Sequence, residues 1–416
     1  MYSYAEAVRQ YGELGVDVST AVEKLKQVPL SIHCWQGDDV VGFESPESVL
    51  SGGGIIATGS YPGRARSLDE LRADYDFAFS LIPGSHRVNL HAIYGDFSER
   101  KIDRNEITIE NYQSWIDWAN ERNLGIDFNA TLFSHPNADS GFTLSNKNLK
   151  IREFWIEHVK RCREISSEIG KQLQDPVIHN LWIPDGTKDI PVDRIGHRLL
   201  LKESLDDIFS EKYSSDTLKD ALEGKLFGIG SESFVVGSHD FYLGYSLSNN
   251  LLLTMDTGHY HPTESVADKI SSILPFANEL LIHVSRGVRW DSDHVVLLND
   301  ELIQLAEEIV RAKALNRVHL SLDFFDASIN RIGAWVIGAR ATLKSVLYAL
   351  LEPWDLLLEY EEDGKNFQRL ALLEELKSMP FGAIWDYFCS EMNVPIGRDW
   401  MKRVEEYEAS VLRKRS

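Results

Sequence analysis

Short runs of β-branched and aliphatic residues alternate along this chain with longer segments in which apolar residues recur every three or four positions. The short runs predict buried parallel strands, and the longer segments, such as 151–169 and 302–314, predict the amphipathic helices that connect them. Eight strand-like runs occur, at 30–34, 87–91, 125–129, 177–183, 225–230, 251–256, 281–284 and 318–323. Eight strands with eight crossovers favour an α/β fold of the closed (β/α)8 TIM barrel type over an open doubly wound sheet.

Two stretches do not fit this repeat. Residues 36–64 form a long Gly-rich connection after the first strand, at the barrel end where substrates bind, and loops of this length in compact domains are usually lids or disordered. We predict that this connection is a lid.

The chain beyond residue 340 is almost wholly helical in pattern. We therefore divide the sequence into a catalytic barrel with an N-terminal helix at 1–340 and a C-terminal helical extension at 341–416, packed on the barrel or on a neighbouring subunit.

Composition and charge exclude several classes of protein. The 416 residues, 43% hydrophobic and 26% charged, suffice for a large core. The chain has 64 acidic and 43 basic residues, so its net charge is −21. A charge of this sign repels phosphate backbones and anionic lipids, and we therefore expect no nucleic-acid or membrane partner. Without a membrane span or a secretory signal, we expect a cytoplasmic protein. Three widely spaced cysteines predict neither a disulfide framework nor a zinc thiolate site.

Histidines and carboxylates dominate the polar residues at the predicted strand ends. Because the active site of a (β/α)8 barrel is built at the C-terminal ends of its strands, these side chains should converge. Oxygen ligands with one imidazole and no thiolate suit hard or borderline divalent ions such as Mn²⁺, Mg²⁺ or Co²⁺. One predicted metal site takes its ligands from four successive strands, namely Glu232, Asp256, His283 and Asp323.

A second ion would be held by His259, Asp291 and Asp293 if Asp256 or Glu232 bridges the two sites. Two ions about 3.5–4 Å apart form a clamp across two oxygens of a substrate. Each assignment has a structural alternative. Both aspartates of the second set are equally suited to a helix cap or a surface loop, and Asp326 fits the pattern about as well as Asp323. The histidines at 261, 294 and 319 are better read as structural groups.

Aromatic residues also stand at or just beyond predicted strand ends. Trp35, Phe133 and Trp182 are candidates for an apolar wall around a sugar ring, with core packing as the equal alternative. Asp185 is a candidate for hydrogen bonding to substrate hydroxyls, with closure of a tight turn as its alternative.

Seven segments of the chain form a distinctive set. They are SIHCWQGDD (31–39), DFN (127–129), WIPDG (182–186), GHYHPTE (258–264), HVSR (283–286), VRWDSDHV (288–295) and LDFFDASINR (322–331). Together they resemble the signatures of bacterial L-rhamnose isomerase. The resemblance runs from near the N-terminus into the C-terminal helices and so covers nearly the whole chain.

The resemblance implies a metal-dependent aldose–ketose isomerase that interconverts L-rhamnose and L-rhamnulose, the first step of rhamnose catabolism, on a barrel like that of xylose isomerase. It implies a homotetramer that uses Mn²⁺, with Co²⁺, Zn²⁺ or Mg²⁺ as substitutes. It also implies that the structural and catalytic ions take the two ligand sets named above. One departure stands out, because relatives of broad sugar specificity carry a Glu-x-Lys pair near the fifth strand, whereas Glu232 is followed by Ser233 and Phe234.

For such an isomerisation, divalent ions on the sugar oxygens O1 and O2 would polarise the carbonyl and favour a direct hydride shift between C2 and C1. Asp291 or Asp323 would position the group that moves the proton between the oxygens, and His91 would bind the ring oxygen or O1 and help to open the sugar. Proton abstraction through an enediol is the alternative mechanism.

A metal-dependent phosphodiesterase or endonuclease on a similar barrel is the alternative function, but it would need a basic groove. A sugar-binding protein would not need two metals.

Overall fold

Eight parallel strands close into a barrel in the computed structural model, which describes residues 2–44, 59–97, 102–226, 233–288 and 293–415. Around the barrel the strand order is β1, β8, β7, β6, β5, β4, β3 and β2, with β1 paired to both β2 and β8. The predicted (β/α)8 barrel is confirmed. The strands are β1 Pro29–His33, β2 Ser85–His91, β3 Gly125–Asn129, β4 Val177–Trp182, β5 Leu218–Glu223, β6 Leu252–Asp256, β7 Leu280–Val284 and β8 Val318–Leu322.

Seven of these strands lie within two residues of their predicted ends, but the prediction for the fifth is wrong. The apolar run at 225–230 follows the strand; Lys225 and Leu226 lie beyond the end of β5, and the remainder lies outside the described residues. The true strand is interrupted by two adjacent charged residues, which point to opposite faces of the sheet, because each of them forms an ion pair. Lys219 pairs with Glu279, and Asp220 pairs with Arg163 on a covering helix.

Within the described residues, fourteen α-helices surround or extend the barrel. Each of the strands β1 to β8 is followed by one crossover helix, and these eight helices are α3 to α10. Seven of them begin at a Ser, Asn or Asp whose side chain accepts a hydrogen bond from a backbone amide of the first turn. The helices are α1 Tyr4–Glu13, α2 Val18–Lys26, α3 Leu68–Phe79, α4 Gln113–Arg122, α5 Leu149–Leu173, α6 Arg194–Ile208, α7 His239–Asn249, α8 Val266–Ile273, α9 Asp300–Arg311, α10 Arg331–Leu350, α11 Trp354–Glu362, α12 Asn366–Leu376, α13 Phe381–Glu391 and α14 Asp399–Ser410.

The division drawn at residue 340 falls inside α10. This helix is mostly buried and continues to Leu350 without a break, because it is the last crossover helix and packs against both α9 and α2. The additional helices therefore begin with α11. Among the described helices, none alone has the length and apolar character to cross a bilayer, and α10 and α11 meet those criteria only as a pair bent by 55°.

The middle of the barrel is filled by polar side chains. (β/α)8 barrels are usually packed with bulky branched residues, but here hydrogen bonds pass from one strand to the next but one, which is possible only across the interior. Such bonds satisfy buried polar groups that would otherwise destabilise the fold. They join Ser31 to Asp127 at 2.6 Å, Asn89 to Ser321 at 3.1 Å and Thr254 to Asn180 at 2.7 Å.

Arg331, at the start of α10, fastens the described flanks of the 36–64 connection. Its guanidinium donates twice to Asp39 at 2.7 Å and also to the carbonyls of Tyr61 and Pro62. The central part of the predicted lid, 45–58, lies outside the described residues.

The C-terminus is tied to the barrel by one buried ion pair. Arg415 donates to both carboxylate oxygens of Asp74 on α3, at 2.6 and 2.8 Å, and Tyr407 donates to the same carboxylate at 2.9 Å. Both side chains of the ion pair are at most 5% exposed. Burial raises the pKa of Asp74, so its ionised form depends on these donors.

We expect Arg415→Ala to lower the free energy of unfolding by about 3–5 kcal/mol, because removing one partner of a buried pair strands the other charge. Arg413→Ala is the matched control, since Arg413 pairs with Glu408 at the surface, where such pairs contribute about 0–1 kcal/mol. Denaturant unfolding measures both variants. Equal stability of the two would contradict an anchoring role for Arg415.

Candidate metal centre

Four side chains meet at the mouth of the barrel. They come from the ends of β5 and β6, from within β7 and from just beyond β8, and their ligand atoms all lie within 4.8 Å of one another. The four residues are Glu223, Asp256, His283 and Asp323.

His283 lies at the centre of this cluster. Its Nδ1 atom is 3.0 Å from Asp323 Oδ2 and 3.3 Å from Glu223 Oε2. The same nitrogen is 3.9 Å from Asp256 Oδ2. A single ring nitrogen cannot donate to three carboxylates at once. A cation among them would satisfy all four groups.

A second group adjoins the first and shares Asp256 with it. It consists of Asp256, His259 and Asp293, again with ligand atoms within 4.8 Å. His259 Nε2 lies 3.3 Å from Asp293 Oδ1, and His259 Nδ1 lies 3.1 Å from Glu223 Oε1. His259 thus stands between Glu223 of the first group and Asp293 of the second. Two adjacent groups that share one carboxylate have the ligand composition of a two-ion site.

The shared carboxylate is built to keep one oxygen available. Asp256 Oδ1 accepts from the backbone amide of Gly258 at 2.6 Å and from the Ser285 hydroxyl at 2.7 Å. Asp256 Oδ2 is buried and has no hydrogen-bond donor among the described residues. A buried oxygen without a donor requires another partner, and its position between the two groups fits a divalent cation.

Electrostatics lead to the same conclusion. Burial, together with the neighbouring carboxylates of Asp293, Asp323 and Glu223, raises the pKa of Asp256 well above its usual value. Burial lowers the pKa of His283, but the carboxylates of Glu223 and Asp323 outweigh burial and raise it well above its usual value. Without a metal ion these groups would therefore retain protons, and bound cations would supply the missing positive charge instead.

Sequence reasoning missed Glu223, because it placed the fifth strand several residues too late. The residue nominated instead, Glu232, lies outside the described residues, and so does Asp291. A signal was present, since Glu223-Gly224-Lys225 is a Glu-x-Lys pair at the end of β5. The chain therefore does carry a Glu-x-Lys pair near its fifth strand, and the departure from broad-specificity relatives that we inferred from Glu232 is wrong. Lys225 Nζ lies 4.9 Å from the centre of the Trp182 ring, which places a cation beside the predicted aromatic wall.

The three predicted wall aromatics are buried and form a chain with His91 at the barrel mouth. The His91 ring packs edge-on against Trp35 at 4.9 Å and against Phe133 at 5.5 Å, and Phe133 lies 5.8 Å from Trp182. Trp35 has a second contact, because its indole Nε1 donates to Asp323 Oδ1 at 3.0 Å. The wall is therefore joined directly to a candidate metal ligand.

His91 ends β2 and is held in the neutral form. Burial lowers its pKa to about 3, and its Nδ1 lies 3.0 Å from the hydroxyl of Thr131. A neutral imidazole anchored through one nitrogen can hydrogen-bond to a sugar oxygen through the other.

The structure favours the structural alternative for Asp185. Its carboxylate is fully buried and accepts from the backbone amide and the hydroxyl of both Thr143 and Ser145, at 2.5–2.8 Å. With both oxygens occupied in this way, Asp185 closes the loop before α5, and its predicted contact with substrate hydroxyls has no geometric support. Asp326 likewise bonds to Ser328 in its own turn, which leaves Asp323 as the ligand candidate.

A family model described as L-rhamnose isomerase (RhaA) matches residues 1–415. The chain is 53% identical over 410 residues to the L-rhamnose isomerase of Rhodopirellula baltica, covering 99% of this chain and 96% of that protein. It is 55% identical over 413 residues to the L-rhamnose isomerase of Bacteroides thetaiotaomicron, covering 99% and 98%.

Solved structures show a more distant likeness. An L-ribulose 3-epimerase structure aligns with a TM-score of 0.46 and 12% identity, covering 79% of this chain and 97% of that one. A similarity this remote does not indicate a function.

We expect metal-free protein to gain stability on addition of Mn²⁺, by about 2.7 kcal/mol at a hundredfold excess over Kd, and Glu223→Gln to lose most of that gain. Loss of an outer partner of a metal ligand costs about 10–100-fold in affinity, so loss of the ligand itself should cost at least as much. Glu232→Gln is the matched control and should bind as wild type. Thermal unfolding and calorimetric titration measure both. The reverse ranking of the two variants would restore the original assignment of Glu232.

Proposed function

The chain belongs to the L-rhamnose isomerase family, and from this premise we propose that it interconverts L-rhamnose and L-rhamnulose with divalent ions held at the candidate metal centre. As a member of that family it is an aldose–ketose isomerase. The observation that carries the proposal for this chain is the pair of ligand groups sharing Asp256 at the mouth of the barrel.

Divalent ions at this centre would act as Lewis acids that polarise the substrate carbonyl. Imidazole and carboxylate ligands without thiolate suit Mn²⁺, with Co²⁺, Zn²⁺ or Mg²⁺ as substitutes. The residues that would hold one ion are Glu223, Asp256, His283 and Asp323, and those for the other are Asp256, His259 and Asp293. Asp291, predicted both as a ligand of the second ion and as a catalytic residue, lies outside the described residues and remains a prediction.

The chain's own residues would orient the sugar and keep water away from it. Trp35, Phe133 and Trp182 present apolar surface beside the cluster, which suits the 6-deoxy methyl group of L-rhamnose and excludes water. His91, neutral and anchored by Thr131, would bind the ring oxygen or O1 and assist ring opening.

We propose a direct transfer of hydrogen between C1 and C2. An enediol route needs a carboxylate base with a free oxygen aimed at the carbon. In the first ligand group one oxygen of each carboxylate accepts a hydrogen bond, and the other would be taken up by the histidines or the bound ions. Trp35 donates to Asp323, Asn180 donates to Glu223, and Gly258 and Ser285 donate to Asp256. In the proposed reaction Asp323 would help to position the proton that moves between O1 and O2.

The phosphodiesterase or endonuclease alternative has no support from the family match, and the net charge of −21 opposes binding of a polyanionic substrate. The homotetramer and the cytoplasmic location remain predictions made from the sequence.

We expect purified protein to convert L-rhamnose to a ketose, to lose this activity on chelation and to recover it best with Mn²⁺ or Co²⁺, because the donor set is oxygen and imidazole. A colorimetric ketose assay before and after chelation measures this. A phosphodiester substrate is the negative control. Full activity in protein shown by elemental analysis to be free of metal would refute the metal-dependent mechanism.

We expect L-rhamnose deuterated at C2 to yield L-rhamnulose that keeps most of its label at C1 in ordinary water, because direct transfer does not expose the hydrogen to solvent. Mass spectrometry or proton NMR of the product at low conversion measures the retention. In the complementary experiment, unlabelled sugar in heavy water should gain little deuterium. Near-complete washout at low conversion would favour the enediol route and leave the metal centre unaffected.

A further inference from the structure

A buried amide and a buried hydroxyl lie on the two strands beside the candidate ligand Glu223. Asn180 on β4 and Thr254 on β6 flank β5, the strand that ends at Glu223. In the sheet register Thr254 is opposite Glu223, and Asn180 is opposite Ala221, two residues earlier. Asn180 and Thr254 are at most 3% exposed. Asn180 is therefore placed to contact the carboxylate and Thr254 to contact Asn180, and both remain outside the two ligand groups.

These side chains form a directed chain of hydrogen bonds. The Thr254 hydroxyl donates to Asn180 Oδ1 at 2.7 Å, and Asn180 Nδ2 donates to Glu223 Oε2 at 2.7 Å. An ionised carboxylate only accepts, an amide has one donor end and one acceptor end, and a hydroxyl can do either. Consequently only one orientation of the Asn180 amide satisfies both of its neighbours. The carboxylate sets which end of the amide faces it, and Thr254 anchors the other end of the amide in place.

The orientation of Glu223 matters because its two oxygens face different histidines. Oε2, the oxygen bonded to Asn180, lies 3.3 Å from His283 Nδ1, and Oε1 lies 3.1 Å from His259 Nδ1. Rotation of the carboxylate would disturb both contacts. The last side-chain torsion angle of a glutamate, which rotates the carboxylate, has a broad distribution without a strongly preferred value. From outside the ligand groups, the donor that restricts this torsion is Asn180.

We propose that Thr254 and Asn180 are positioning residues, and that the Thr254–Asn180–Glu223 chain holds the Glu223 carboxylate in its ligand orientation before any ion binds. This rests on the proposed function only in requiring that a divalent ion binds at Glu223. The neutral amide does so without adding charge to a crowded anionic site. Preorganised ligands avoid the cost of ordering when the ion arrives, and outer partners of this kind typically contribute about 10–100-fold to metal affinity.

The test compares four variants of the full-length, metal-free protein. Thr254→Val keeps the shape and removes the donor to Asn180, Asn180→Leu removes the donor to Glu223, and Thr254→Ser restores the hydroxyl. Thr342→Val is the matched control, because Thr342 is a buried threonine whose hydroxyl donates to the carbonyl of Gly338 in its own helix, α10. Calorimetric titration gives the Kd for Mn²⁺, and thermal unfolding without metal gives the intrinsic Tm.

We expect Thr254→Val and Asn180→Leu to weaken Mn²⁺ binding by about 10-fold or more, whereas Thr254→Ser and Thr342→Val keep the wild-type Kd. A fall in Tm with an unchanged Kd in both of the first two variants would assign a purely structural role and overturn the proposal, while leaving the metal centre intact. Failure of the wild-type protein to bind Mn²⁺ would overturn the centre and the proposal together. If Thr254→Val does not fold, Thr254→Ala provides the same comparison.

Discussion

The crowding of ionisable groups at the mouth of the barrel is the constraint on which the rest of this structure depends. Ligand atoms of three carboxylates and a histidine lie within 4.8 Å of one another; Glu223, Asp256 and His283 are buried, and Asp323 is half-buried. Burying like charges together is strongly unfavourable unless donors and cations compensate. Each carboxylate therefore needs a specific hydrogen-bond donor, and the cluster as a whole needs positive charge. Much of the neighbouring architecture supplies one or the other.

The donors come from different parts of the fold, and each restricts one ligand. The loop after β1 contributes Trp35 to Asp323, the chain just beyond β7 contributes Ser285 to Asp256, and β4 contributes Asn180 to Glu223. Neutral donors such as an indole, a hydroxyl and an amide fix orientation without cancelling the negative charge that would attract a metal ion. This explains why polar side chains occupy the barrel interior where branched apolar residues are usual.

Buried arginines serve a similar purpose farther from the centre, where loops have to be fastened to the barrel. Arg104 donates to the carbonyls of Thr131 and Phe133, which follow β3, and pairs with Glu44 at 2.9 Å. It thereby supports the backbone beneath one residue of the aromatic wall. Arg331 and Arg415 fasten the connection after β1 and the C-terminus in the same way. A guanidinium suits this role because its five donors can satisfy carbonyls and a carboxylate together.

The sequence by itself determined the barrel, the crossover helices and most of the candidate site, because alternation of apolar runs with helical periodicity is a local property and strand ends in a barrel converge by topology. Asp256, His283 and Asp323 were found in this way. Only the tertiary structure placed Glu223 in the cluster, since β5 carries charged residues whose partners, Arg163 and Glu279, are distant in sequence. Only the folded chain could show that Asp185 is occupied by Thr143 and Ser145. In each case the deciding interaction joins residues at least 40 positions apart, and no local pattern records such a pairing.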